Sequence, residues 1–180
     1  VLLQNAKEEI RNGNGFDVHA FRAREKKENN LIRLGGVDIE FDKKLLAHSD
    51  GDVVIHALMD AMLGAIGEGD IGDHFPPSDI KWKNFDSREM LKIVNALMHK
   101  RGGRIVNVDL TIICEKPKIS KYKKPMAEAM AKVLNIATNR INVKATTTEK
   151  LGFLGREEGI AVQASVSIAL TRVEEEGLLA

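Results

Sequence analysis

The feature that most narrows the fold lies near the end of the chain, where Ile160, Val162, Ala164, Val166, Ile168 and Leu170 alternate with Ala161, Gln163, Ser165, Ser167 and Ala169. Successive strand side chains point to opposite faces, so this period of two predicts a long strand with one apolar face. A second long strand is predicted over 104–114, with Val106, Val108, Leu110, Ile112 and Cys114 on one side and Ile105, Asn107, Asp109, Thr111 and Ile113 on the other. Residues 141–148 read as a further strand. Two helix-to-strand passages, 86–114 and 125–147, predict an α+β fold, a mixed β-sheet with helices packed on one face. Val and Ile occur on both sides of the long strands and the helices are too few for two outer layers. An oligomer whose sheets face inward is therefore expected.

The helices carry their own signals. Ile55, Leu58, Met59, Met62 and Ile66 form one stripe, predicting a helix over 53–66 with Asp50 or Asp52 as N-cap. Asp86-Ser87-Arg88-Glu89 resembles a capping box opening a helix over 90–101, with Met90, Ile93, Val94, Leu97 and Met98 inward and Gly102-Gly103 ending it. Pro125 suits the first turn of a helix burying Met126, Met130, Val133 and Leu134. Residues 67–79, rich in glycine, proline and acids, predict a loop long enough to act as a lid. Residues 22–30 read as a solvated loop before a strand at 31–34, and Gly35-Gly36 as a turn into 37–41.

With 180 residues the chain suits one domain, placed at 11–171 behind an N-terminal arm or linker (1–10, with apolar residues at roughly helical spacing) and before a C-terminal tail (172–180). A formal net charge of +1 gives no overall pull towards nucleic acid, and 4% aromatic residues disfavour a base-stacking platform. The one cysteine, Cys114, excludes an internal disulfide and suits a reducing compartment. No window approaches 18 apolar residues, and the first eleven lack the core of a secretory signal, so no membrane role is expected. The first residue is Val rather than Met, which suits a processed chain or the back half of a longer one.

The chemistry begins at Gly13-Asn14-Gly15-Phe16-Asp17-Val18-His19, where a carboxylate and an imidazole two residues apart share one face of an extended segment. Alone, this is as well read as the polar face of a hairpin. A catalytic zinc takes three protein ligands. The third is sought on the predicted helix 53–66, where Asp52, His56 and Asp60 stack at four-residue spacing, and His56 is the ligand type that fits. By itself His56 is more simply a satisfied core histidine; the pairing with Asp17 and His19 is what favours a metal. His74 reads as a loop residue and His99 as a favourable charge at a helix C-terminus.

Over about residues 11–171 the chain resembles the 2-C-methyl-D-erythritol 2,4-cyclodiphosphate synthase family. The resemblance rests on Gly15-Phe16-Asp17-Val18-His19-Ala20-Phe21, Leu46-Ala47-His48-Ser49-Asp50-Gly51-Asp52-Val53 with His56, and Gly69-Asp70-Ile71-Gly72. Phe75-Pro76, Lys116-Pro117-Lys118, and Asn142 through Phe153 with Gly155-Arg156 complete it. It implies a homotrimer with sites between neighbouring subunits, Zn²⁺ or another divalent cation at Asp17, His19 and His56, and Mg²⁺ or Mn²⁺ with the substrate diphosphate near Glu149. The implied reaction is cyclisation of 4-diphosphocytidyl-2-C-methyl-D-erythritol 2-phosphate with release of CMP, in the non-mevalonate isoprenoid route. His48 and Thr147 are implied to position the reacting phosphates.

Further roles follow from the same resemblance. Ser49, Asp70, Ile71, Gly72, Phe75, Asp79, Thr146, Thr148, Phe153 and Arg156 are implied substrate contacts, and Cys114, Glu115, Lys116, Pro117, Lys118 and Ile119 the cytidine pocket. Thr146–Thr148 offer hydroxyls and N–H groups suited to a phosphate cradle. Arg156, with Phe16 and Glu158 nearby, matches a position at the trimer axis where some relatives hold an isoprenoid diphosphate. A bacterial cytoplasmic location is implied, or a plastid in a eukaryote. Ile80 and Phe85 depart from the usual family residues, which puts lid stiffness in question. Two rival functions are a zinc phosphoesterase on the same substrate class and a catalytically silent isoprenoid-diphosphate-binding trimer.

Overall fold

The computed structural model describes residues 8–47, 49–83 and 85–171. Among them are the strands β1 (Glu8–Ala23), β2 (Leu31–Leu34), β3 (Val37–Glu40), β4 (Lys43–Leu45), β5 (Gly103–Ile113), β6 (Ile141–Thr146) and β7 (Gly159–Thr171). The helices are α1 (Val53–Ile66), α2 (Ile71–His74), α3 (Ser87–Lys100), α4 (Lys123–Leu134) and α5 (Gly152–Gly155). One mixed sheet runs β4-β1-β7-β5-β6, with β5 and β6 parallel and every other pair antiparallel. β2 and β3 form a separate hairpin through Gly35 and Gly36, whose φ of +58° and +77° suit residues without a side chain. The parallel pair needs a crossover, and α4 supplies it.

α1 packs on β1 and β7, α4 lies on β6, and α3 fills the space between α1 and α4. All but Asp60 and Gly64 of α1 is buried. What brings this helix so close is glycine: a Cβ on Gly13 would sit 1.9 Å from the Ala61 carbonyl oxygen, and one on Gly15 2.0 Å from that of Ala57. The strand backbone therefore rests directly on the helix backbone, across a face made small by Ala57, Ala61 and Ala65. Gly13, Gly15, Asp17 and His19 have the same parity on β1, so the close approach carries the two polar side chains to the helix as well.

Several local expectations are corrected. Residues 8–10, read as the end of an arm with helical spacing, are strand: Glu8, Glu9 and Ile10 pair with Thr171, Leu170 and Ala169, because backbone pairing is available from β7. A bulge between Ile105 and Asn107 switches the parity of β5, so Ile105 turns to the core and Val106 is half-buried. In α3, Asp86 caps the Arg88 N–H at 2.9 Å, but Glu89 pairs with Lys92 at 2.6 Å and closes no capping box. Its inward face takes Leu91 and leaves Ile93 46% exposed, and Val133 of α4 is only half-buried. Of the two residues expected to cap α1, Asp52 takes the role. Residues 172–180 lie outside the described residues.

The helix-free face of the sheet is largely polar. Side chains of Ser165 and Ser167 donate to Asn14 and Asn12 at 2.7 and 2.6 Å across the β1–β7 ladder. Its apolar exposure is concentrated on β1, at Ile10, Phe16 and Val18, 42–60% exposed. No helix among the described residues is long and apolar enough to cross a membrane.

Candidate metal centre and active site

Asp17, His19 and His56 converge, their ligand atoms all within 4.8 Å of one another. Asp17 Oδ1 accepts from the Val18 N–H at 2.8 Å, which leaves Oδ2 facing both rings, 3.1 Å from His56 Nδ1 and 3.6 Å from His19 Nε2. His19 Nδ1 lies 2.9 Å from the Val18 carbonyl, which only accepts, so Nδ1 carries the ring hydrogen. Its Nε2 is buried without a hydrogen-bond partner and presents a bare lone pair to the carboxylate. Two acceptors aimed at one point describe a cation site better than a hydrogen bond, and one carboxylate with two imidazoles is a donor set suited to a divalent transition-metal ion. His56 is 6% exposed, and its Nε2 faces Ser87 Oγ at 3.0 Å and Ser49 Oγ at 3.2 Å.

Without a cation a proton takes its place. Burial opposes charge on His56, but the hydrogen bond and charge of Asp17, with Asp52 and Asp50 behind them, outweigh it and raise the imidazole above its ordinary 6.5. The sign follows: in the metal-free protein this interaction stabilises fully below about pH 6.5 and is lost as pH rises through the higher folded value. Cation uptake must expel that proton. Calorimetric titration of metal-free protein with Zn²⁺ in buffers of different ionisation enthalpy is expected to record proton release from His56 at pH 6, fading at pH 9; pH-independent release would contradict it.

A cavity of about 490 Å³ opens beside the group, lined by His19, His56, Ser49, Ile71, Phe75 and Trp82 among others. Its outer wall is the predicted lid. Asp70 caps α2 by accepting from Gly72 N and Asp73 N at 2.8 and 3.2 Å, and Asp60 of α1 holds the same turn through the Ile71 N–H at 2.9 Å. Phe75, Trp82 and Phe85 stack edge to face with centroids 4.9 and 5.1 Å apart, so the unusual Phe85 braces the lid; the equally unusual Ile80 is 79% exposed. Asp79 does not line the cavity. It caps the following 3₁₀ turn and pairs with Lys81 at 3.0 Å.

Most of the expected nucleotide-end residues form a second cluster. Cys114, Glu115, Pro117, Lys118, Ile119, Thr146 and Thr147 line a pocket of about 280 Å³ at the ends of β5 and β6. Thr147 Oγ1 donates to Glu149 Oε1 at 3.0 Å on a turn where Glu149 and Lys150 have left-handed backbones. The Thr148 N–H of the expected cradle, and the Lys150 N–H just beyond it, are already held by Glu115 Oε1 at 3.1 and 3.2 Å. Glu115 thus organises the turn. Lys116 turns towards Glu157 at 3.4 Å, and burial pushes the Cys114 thiol up to about 12, so no thiolate forms at neutral pH. Through the paired rows Val18–Ala161–Ile113–Thr146, three strand spacings of about 4.8 Å separate the clusters by roughly 14 Å.

Arg156 pairs with Glu158 at 2.7 Å and lines a third cavity with Phe21 and Lys43, while Phe153 is 44% exposed on α5. His48 lies outside the described residues. His74 Nε2 donates to the Glu68 carbonyl, 2.7 Å away, and His99 Nδ1 to the Gly103 carbonyl at 3.0 Å, so neither joins the site. Sequence reasoning missed Ser87 and Trp82. Nothing in the local pattern marks Ser87, whereas the Phe75/Trp82/Phe85 spacing in an otherwise polar loop was a readable sign of a packed lid.

An α+β sheet carrying an Asp-His-His group able to hold a cation beside a cavity defines a class of candidate metal-binding proteins. The chain belongs to the YgbB family, a model of which matches residues 10–169. It is 52% identical over 161 residues to the 2-C-methyl-D-erythritol 2,4-cyclodiphosphate synthase of Acinetobacter baumannii, covering 89% of this chain and 98% of that protein. It is also 52% identical over 160 residues to the bifunctional enzyme IspD/IspF of Bartonella bacilliformis, of whose length it spans 39%, with 89% of this chain aligned. The solved CDP complex of IspF from Plasmodium falciparum superposes with a TM-score of 0.77 at 35% identity, covering 91% of this chain and 97% of that one.

Proposed function

We propose that this chain closes the ring of 2-C-methyl-D-erythritol 2,4-cyclodiphosphate in the non-mevalonate isoprenoid pathway, acting as a phosphorus–oxygen lyase on the cytidyl diphosphate substrate and releasing CMP. The observation that carries the reading is the convergence of Asp17, His19 and His56 beside a lidded cavity in a member of this family. In the reaction the 2-phosphate attacks the β-phosphorus of the diphosphate, forming the new phosphorus–oxygen bond as the bond to CMP breaks. A zinc ion held by the three ligands supplies, when bound, charge that offsets the repulsion between the phosphates and polarises the attacked phosphorus.

The chain's own residues do the rest. Asp17, His19 and His56 fix where the divalent charge sits, and Ser49 adds a hydroxyl at the same edge. Phe75, Trp82, Ile71 and Leu46 make the cavity wall apolar and keep water from the attacked phosphorus. That exclusion favours ring closure over the phosphoesterase alternative, in which water is the nucleophile. Thr147 and Glu149, with a magnesium ion on the diphosphate, and the pocket from Cys114 to Ile119 are assigned the nucleotide end; the solved relative with bound CDP supports a pocket of that kind. His48 is assigned a phosphate-positioning role beside Ser49.

The roughly 14 Å between the two clusters is best met by a homotrimer in which a neighbour's threonine turn completes each site, and the exposed Ile10, Phe16 and Val18 suit a buried central face. Arg156 would then lie near the axis, where an isoprenoid diphosphate could be held.

Purified protein given the cytidyl substrate with Zn²⁺ and Mg²⁺ is expected to yield equal CMP and cyclic diphosphate by ³¹P NMR, both abolished by chelation. CMP with a linear bisphosphate would make the chain a hydrolase. No turnover by a zinc-loaded trimer would favour the silent binding protein.

A further inference from the structure

Ser87 is a fully buried polar side chain at the first turn of α3, outside every motif that carries the family resemblance. Its N–H donates to Asp50 Oδ2 at 3.0 Å and its hydroxyl to Asp50 Oδ1 at 2.5 Å. A carboxylate accepts only, so the single hydroxyl hydrogen points at Asp50. What Ser87 Oγ can offer His56 Nε2, 3.0 Å away, is then a lone pair. Nε2 must carry a hydrogen, and the other ring nitrogen, Nδ1, is left to face Asp17 Oδ2 as a ligand atom. Ser49 Oγ, 3.2 Å from Nε2 and accepting from the Gly51 N–H at 3.3 Å, is placed to share that ring hydrogen.

We propose that Asp50 and Ser87 are positioning residues for the cation site: the carboxylate orients the hydroxyl, and the hydroxyl holds His56 as the Nε2–H tautomer with Nδ1 turned towards Asp17 and His19. The inference rests on reading those three side chains as ligands of a divalent cation. A partner behind a metal-binding histidine fixes the ring and the tautomer, and its loss weakens metal binding by about 10- to 100-fold. The pair also ties the loop before α1 to the start of α3, so the ring orientation is set by two elements far apart in sequence.

Two variants separate this role from simple packing. Ser87→Ala removes the acceptor and leaves Ser49. Asp50→Asn keeps the shape but provides an amide donor, which lets Ser87 accept from Asn and donate to Nε2, reversing the relay so that Nδ1 carries the hydrogen. With Zn²⁺ alone as probe and a competing chromophoric chelator, Ser87→Ala is expected to bind about 10-fold more weakly and Asp50→Asn about 100-fold. Long-range ¹H–¹⁵N spectra of histidine-labelled, metal-free protein at pH 9 are expected to show His56 as Nε2–H in the parent and shifted towards Nδ1–H in Asp50→Asn. Zinc affinities within two-fold of the parent in both variants overturn the proposal. So does Nδ1–H in the metal-free parent, a result that needs neither variant to fold. Failure of the parent to bind zinc would instead refute the cation site, while the parent's tautomer would still report on the relay.

Discussion

The His56→Ala variant is expected to retain no stoichiometric zinc and to turn over at least about a thousand-fold more slowly, since divalent charge contributes several kcal/mol to such a transition state. His56 supplies the ring nitrogen nearest the Asp17 carboxylate, 3.1 Å away, and its loss leaves two protein ligands where a catalytic zinc takes three. The fold should survive. α1 keeps the rest of its buried face, and removing one buried ring typically costs about 1–3 kcal/mol. Metal analysis after gel filtration, far-UV circular dichroism and the ³¹P assay together check the result; full activity without bound zinc would refute the assignment.

Gly15→Ala is expected to do comparable damage from a position that touches no ligand. The added methyl would sit 2.0 Å from the Ala57 carbonyl oxygen, a backbone atom that no rotamer change can move. Either β1 bends or α1 retreats, and Ala57 is the immediate neighbour of His56. Overpacking a rigid contact costs about 3 kcal/mol, a drop of roughly 6–12 °C in Tm for a chain of this size. Separating His56 from Asp17 should weaken zinc binding in the same variant. The control Gly64→Ala, on the same helix where a Cβ meets nothing within 4 Å, should leave zinc binding unchanged and, through the helix propensity of alanine, raise Tm rather than lower it. If Gly15→Ala melts and binds zinc like the parent, the strand–helix contact does not set the site.

The same glycines show how far the site can be read from the chain. Asp17 and His19 lie two apart on a strand, so their common face follows from the period of the backbone, and His56 stands out as a ligand type on an apolar helix. The strands at 141–146 and 159–171 follow their alternation, whereas Val106 was misplaced because a bulge breaks the period without leaving a mark in the residues. Residues 8–10 were misread for a related reason: a short segment with ambiguous spacing takes the structure its neighbour offers, and β7 offers a paired edge. Glu115 was legible as part of a pocket, yet its carboxylate serves the threonine turn about 33 residues away.

By itself the sequence determined the period of each long strand, the apolar stripe of α1, and a ligand inventory whose chemistry suits a divalent cation. Tertiary structure alone decided that Gly13 and Gly15 meet Ala61 and Ala57, that Asp17 comes within 3.1 Å of His56, and that Ser87 and Asp50 stand behind its ring. The division has a physical origin. Periodicity is imposed by backbone dihedral angles and repeats within a few residues, while the convergence of residues 17, 50, 56 and 87 depends on how closely two elements pack, a property written in no single stretch of chain.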